Sequence, residues 1–220
     1  MRSIALCALV VLSGAIPAWA QSPQPEWISD PHSGCKIWNP YPRPNEGISW
    51  SGTCKDGLAD GKGTLQWSEN GAPTGRYDGD YRQGKVEGQG TYTWPDGSRY
   101  TGAWHEDQRN GQGVQTWTNG DQYEGEYRDG KLNGRGTYKW ADGSRYDGEW
   151  RDGRQNGRGT QSWTDASRYE GEYKDGKAEG QGRYVNAKGE VFDGKWNNGC
   201  FQDRLRKAAV GVTNAQCGFQ

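Results

Sequence analysis

The sequence predicts an all-β protein, an elongated, twisted antiparallel β-meander built from stacked 23-residue β-hairpins. Three observations predict it. An aromatic residue recurs at a 23-residue step, at Tyr77, Tyr100, Tyr123, Tyr146, Tyr169 and Phe192, and such a period marks a repeat architecture. Each is followed by a glycine two positions on (Gly79, Gly102, Gly125, Gly148, Gly171, Gly194) and a second aromatic four positions on (Tyr81, Trp104, Tyr127, Trp150, Tyr173, Trp196). Within a unit the residue types alternate: Tyr77, Gly79 and Tyr81 share one parity, while Arg76, Asp78, Asp80 and Arg82 share the other. Period-two alternation rich in Tyr, Trp and Thr is a strand signal. Glycines at the eleventh and thirteenth positions, as in Gly88/Gly90 and Gly134/Gly136, argue against helix, where each would cost about 1 kcal/mol relative to Ala.

Taken from the N-terminus, residues 1–20 read as a secretory signal: Arg2, an apolar run over residues 4–11, and the small-residue site Ala18-Trp19-Ala20. Cleavage after Ala20 would leave a secreted or periplasmic chain. The apolar run is shorter than the roughly 20 residues a spanning helix needs. Residues 21–49 form a Pro-rich N-terminal cap. The array covers residues 50–199, six full units and a partial seventh. Its first unit opens at Trp50 with Gly52, Gly61, Gly63 and Trp67, has Cys54 at the second aromatic position, and is followed by four extra residues near Asn70 to Pro73. Residues 200–220 form a C-terminal cap, in which residues 203–210 are expected to make one or two helical turns before Gly211. Caps are needed because a terminal repeat cannot bury its own rings.

Loss of Cys7 with the signal leaves four cysteines, which in an oxidising compartment imply two disulfides. Three pairings are possible. Cys35 with Cys54 and Cys200 with Cys217 are favoured, because each pair lies at one end of an array whose ends do not meet. Each closes a loop of about 20 residues, worth on the order of 3 kcal/mol in the chain-entropy picture.

Asp96-Gly97, Asn119-Gly120, Asp142-Gly143 and Lys188-Gly189 between units predict two-residue turns with positive φ at both central positions. Asp165-Ala166 at the fifth junction predicts strain or another turn. Within units the turns use Gly57, Gly84, Gly130, Gly153 and Gly176, with Asp107 in the third unit. Glycines on the aromatic face let rings lie against bare backbone. Aliphatic residues are scarce, but 12 Trp and 12 Tyr supply large apolar surfaces in their place. A net charge of −1 gives no electrostatic reason to expect nucleic acid as a partner.

The pattern Y-x-G-x-[YW]-x-x-G, then G-x-G and a closing turn glycine, closely resembles the MORN (membrane occupation and recognition nexus) repeat family, here of a secreted or periplasmic bacterial type, over about residues 50–199. The resemblance implies β-hairpins stacked into an elongated, twisted sheet. It also implies a role in protein association or, as in some members, phospholipid contact. Cys54, Asp107 and Ala166 depart from the pattern.

Little in the chain resembles catalytic machinery. After signal loss two histidines remain, His32 and His105, in unrelated settings. The string at residues 57–64 lacks phosphate-loop spacing. Asp78/Asp80, Glu124/Glu126, Asp147/Glu149 and Glu170/Glu172 recur by register beside Arg76, Arg145 and Arg168, as a salt-bridged solvated face would. No enzyme activity, metal or cofactor is expected.

The aromatic face carries the functional content. Its candidate groove residues are Tyr77, Tyr81, Trp94, Tyr100, Trp104, Trp117, Tyr123, Tyr127, Trp140, Tyr146, Trp150 and Trp163, with the rings nearest the glycines expected to be core. A single sheet has no second layer to cover this face fully, and uncovered aromatic surface is a binding surface. The expectation is a non-enzymatic scaffold that docks an unidentified protein through the aromatic groove or a sheet edge, with self-association as one form. The alternative is a module that binds glycans or phospholipid headgroups at the cell envelope.

Overall fold

The computed structural model describes residues 24–219; the predicted secretory signal lies outside the described residues. The N-terminal cap contributes β1 (Glu26–Ser29) and β2 (Lys36–Asn39), and the first unit β3 (Glu46–Trp50), β4 (Thr53–Lys55) and β5 (Leu58–Glu69). Then come β6 (Ala72–Arg82), β7 (Lys85–Thr93), β8 (Arg99–His105), β9 (Gln108–Thr116), β10 (Gln122–Arg128), β11 (Lys131–Lys139), β12 (Arg145–Arg151), β13 (Arg154–Ser162), β14 (Arg168–Lys174), β15 (Lys177–Val185) and β16 (Val191–Trp196). They form one 16-stranded sheet in which every strand from β5 to β16 pairs with its neighbours in sequence, an uninterrupted antiparallel meander. β3 and β4 both pair with β5, and a single parallel contact, Lys36 with Leu58, joins β2 to it.

The two glycines of each G-x-G have different physical reasons. In the hairpin of β10 and β11, Gly125 pairs with Gly136 but Tyr127 pairs with Leu132, so one residue on one strand opposes three on the other. Gly134 sits in that bulge at φ 60°, where a Cβ is penalised. Gly136 lies under a ring instead: a Cβ there would stand 2.5 Å from Cζ of Tyr123. Bulges bend the strand that carries them, and the same shift recurs in each of the five hairpins from β6–β7 to β14–β15.

The turns correct one expectation. At the four junctions expected to carry such turns only the glycine has positive φ, as at Gly97 (92°) and Gly143 (93°). Trp94 N donates to Ser98 O at 2.9 Å and Gly97 N to Trp94 O at 2.9 Å, a three-residue loop of type I turn plus left-handed residue. Proline at position 95 suits that turn and no left-handed one. Two-residue turns with positive φ at both positions lie within the units, as at Gln83-Gly84 and Asp129-Gly130, and at the insertion, at Asn70-Gly71. Ala166 keeps its junction's loop shape at φ 70°, so the strain is local and the turn unchanged. The insertion after the first unit is absorbed by longer strands, β5 and β6, around a turn at Asn70-Gly71.

The core is an unbroken ladder of rings. Trp50, Tyr81, Tyr77, Trp104, Tyr100, Tyr127 and Tyr123 follow one another at centroid separations of 4.8–5.6 Å. The ladder continues through Trp150, Tyr146, Tyr173, Tyr169 and Trp196 to Phe201. Nearly all these contacts are edge-to-face, each worth roughly 0.5–1.5 kcal/mol beyond area burial. The structure pairs Cys35 with Cys54 at one end and Cys200 with Cys217 at the other. The expected helical turns at residues 203–210 do not form. Instead β17 (Cys200–Gln202) and β18 (Lys207–Ala209) make a small hairpin. Asp203 holds its turn by accepting from the N–H groups of Leu205 (2.9 Å) and Arg206 (2.7 Å). Val210 N then donates to Gly199 O at 2.8 Å, extending the row of turn-to-turn bonds that includes Gly176 N to Gln155 O at 3.0 Å.

Candidate binding face and groove

The twelve candidate aromatics divide by depth. Tyr77, Tyr100, Tyr123 and Tyr146 have no exposed surface, and Tyr81, Tyr127 and Trp150 are also buried. These are ladder members, as is the partly buried Trp104; most of their polar atoms serve the fold, whereas the Tyr127 hydroxyl is buried without a hydrogen-bond partner. Tyr100, Tyr123 and Tyr146 donate their hydroxyls to the carbonyls of Ala103, Glu126 and Glu149 at 2.9–3.1 Å. Trp104 and Trp150 donate from Nε1 to the carbonyls of Gly90 and Gly136 at 3.2 and 3.0 Å. Burial pushes the Tyr77, Tyr123 and Tyr146 hydroxyls well above the ordinary phenol range.

Trp94, Trp117, Trp140 and Trp163 remain partly exposed, packed against the ladder. Each begins a junction loop, with its N–H donating to residue 98, 121, 144 or 167 at 2.9–3.0 Å, so the backbone beneath every ring is fixed. Tyr138 packs between two of them, 5.5 Å from Trp117 and 4.7 Å from Trp140, and donates to Asp121 Oδ2 at 2.8 Å.

A two-unit alternation supports this row and was missed in the sequence. Tyr92, Tyr138 and Tyr184 occupy one position in alternate units, while Gln115 and Gln161 occupy it in the units between and are buried. Arg109 Nη1 donates to Gln115 Oε1 at 3.1 Å, and Gln155 Nε2 to Gln161 Oε1 at 3.2 Å. The signal was a 46-residue period overlying the 23-residue one.

At the N-terminal end the face opens into a groove of about 810 Å³. Trp67, Tyr92, Trp94 and Trp104 line it, the cap loop from Trp38 to Glu46 forms one wall, and the turn Glu106-Asp107 closes the far side. Asp107 stands at φ 66° and accepts from Val86 N at 2.7 Å. Burial raises its carboxyl to about 6.

The outward carboxylates serve the bulges and the surface. Glu126 and Glu149 accept from the N–H groups of Arg135 and Arg158 at 3.1 and 2.9 Å. Asp147 lies 2.8 Å from Arg145, whose guanidinium holds its carboxyl below the usual range. His105 Nδ1 lies 3.2 Å from Glu87 on the exposed face. Among the described residues no group of three or more His, Cys, Asp or Glu is placed to hold a metal ion.

No match was found among curated proteins. Among solved structures, the chain is similar to the SAS-4 (dCPAP) TCP domain of Drosophila melanogaster, solved in complex with a proline-rich motif of Ana2 (dSTIL). The similarity is at 13% identity and a TM-score of 0.38, covering 87% of this chain and 96% of that one. The family model for the MORN repeat matches residues 50–72, 77–99, 100–122, 123–145, 146–168 and 169–191. Those matches take in more than half of the chain, which therefore belongs to the MORN repeat family.

Proposed function

We propose that this chain is a non-enzymatic scaffold of the cell envelope or extracellular space that docks a protein partner on its aromatic face. The row Trp94, Trp117, Trp140 and Trp163 carries this reading. These rings stand at one register on a fixed backbone, partly exposed, above a ladder that buries Tyr77, Tyr100, Tyr123, Tyr146 and Tyr169. Interfaces draw on Trp and Tyr because such rings bring large area at low entropic cost. Two disulfides suit an oxidising compartment, in keeping with the predicted secretory signal.

The test is capture from the source cell's envelope and secreted fractions on the immobilised mature chain. The scaffold reading expects a saturable protein partner. Retention of only glycan or phospholipid headgroups would replace it with the competing envelope-binding reading.

A further inference from the structure

The repeats provide an internal control for the groove. In the second, fourth, fifth and sixth units the intra-unit turn is flanked by two cations: Arg82 and Lys85, Arg128 and Lys131, Arg151 and Arg154, Lys174 and Lys177. The third unit reads His105-Glu106-Asp107-Gln108 instead. It loses both permanent cations, gains a carboxylate in place of the turn glycine, and holds Glu106 and Asp107 at φ 44° and 66°. That inversion of charge lies where the aromatic face opens into the 810 Å³ groove.

Existing partners leave the groove acidic. Arg43 pairs with Glu69 at 3.8 Å and Lys85 with Glu106 at 3.5 Å. Arg109 is committed to Gln115 and to the carbonyl of Gly130, with its guanidinium 5.1 Å from the Tyr127 ring centre. Glu46, Asp107 and Asp129 also line the space, three carboxylates against that one guanidinium. Rings together with surplus carboxylate recognise a cation, through the ring quadrupole and direct charge. A phosphate or carboxylate ligand would meet like charge instead.

We infer that this groove binds a lysine or arginine side chain carried by an extended segment of a protein partner, with Trp67, Tyr92 and Trp94 around the stem and Asp107 as counter-charge. The inference rests on the protein-docking reading and supplies the partner's chemistry. An extended segment fits because the groove crosses the width of the face, from the junction at Trp94 and Pro95 to the turn at Glu106 and Asp107. The groups acting on Asp107 are Lys85, Glu106 and Glu87, with Tyr77 and Tyr81 close enough to feel its charge. His105 contacts Glu87.

Fluorescence anisotropy of a labelled decapeptide alternating Lys and Ser tests this, with a Glu-for-Lys peptide and a neutral chitin hexamer as controls. The probes are titrated against the disulfide-bonded mature chain, Asp107→Asn and Asp107→Gly. Asn keeps the acceptor for Val86 N, and Gly restores the residue of the sister turns, so both variants hold the fold. The expected result is binding of the Lys peptide alone, weakened tenfold or more by either variant. Wild-type affinity should also fall as pH drops through 6, beyond any change in Asp107→Asn. Equal binding of both peptides, undiminished binding by the variants, no binding of the Lys peptide at millimolar concentration, or preference for the hexamer would overturn it. A captured protein partner lost on Trp117→Ala/Trp140→Ala but retained by Asp107→Asn would sink this inference and leave the scaffold reading standing.

Discussion

Tyr123 donates its phenolic hydrogen to the backbone carbonyl of Glu126, 3.1 Å away on its own strand. The Glu126 carboxylate meanwhile accepts the N–H of Arg135 at 3.1 Å on the facing strand. One ring and one acid thus satisfy two of the polar groups that the bulge removes from the ladder, and Tyr146 with Glu149 repeats the arrangement. Tyr123→Phe keeps the ring and strands the carbonyl. It should cost about 1–2 kcal/mol, read from the urea midpoint. An unchanged midpoint would show that the hydroxyl is idle.

The separate roles of the glycines predict unequal costs. Gly136→Ala drives a methyl into the Tyr123 ring and should destabilise by about 3 kcal/mol or more, at the upper end for overpacking. At Gly143 the nearest atom to an added Cβ is Thr164 Cγ2 at 3.5 Å. Gly143→Ala should therefore cost only the roughly 1–2 kcal/mol of a left-handed residue. Equal losses in chemical unfolding would refute the distinction.

Ala166 already occupies such a position, at φ 70°. Ala166→Gly should accordingly stabilise the protein by about 1 kcal/mol, with no change in the loop bond from residue 166 N to Trp163 O, now 3.2 Å. Calorimetry measures it, and a lower melting temperature would count against the strain argument.

Asp107 predicts a pH effect of definite sign. Its folded-state value, raised to about 6 by burial, exceeds the ordinary Asp value of about 3.9, so the folded protein holds this proton more tightly than the unfolded chain does. Its contribution to stability is greatest at low pH and is lost as pH rises through 6. Asp107→Asn removes the penalty. Its melting temperature relative to wild type should rise between pH 4 and pH 7.5 by about 2–4 °C, the effect of roughly 1 kcal/mol in a domain this size after discounting for partial exposure. A constant difference across that range would show that Asp107 does not titrate in it.

Much of the fold was legible because a repeat states each constraint several times. Tyr77 and its successors, with glycines two positions on, encode the ring-over-backbone core, and alternation encodes the strands. The bulge was not legible, since Gly88 and Gly134 read as ordinary members of a G-x-G, and only pairing with the facing strand shows one to be left-handed. The turn types were misplaced because Asp-Gly suits both loops; proline at position 95 was the clue that favoured the type I form. The tail resembled a short helix until Asp203 and the carbonyl of Gly199 gave it hairpin partners. The aromatic face was visible as a list of twelve rings, but depth separates them: Tyr123 and Trp117 look equivalent in sequence, yet one is sealed and the other meets solvent. The groove was hidden because it needs the cap loop near Tyr41 and the turn at Asp107 together.

The most direct test of the docking account is the double variant Trp117→Ala/Trp140→Ala, assayed in parallel for thermal unfolding and for retention of the captured protein partner. Both rings pack on Tyr138 outside the sealed ladder, so the variant should still unfold cooperatively, at a lowered melting temperature, and lose partner retention by tenfold or more. Retention equal to wild type in a folded variant would contradict the account, and would place docking elsewhere than on the tryptophan row.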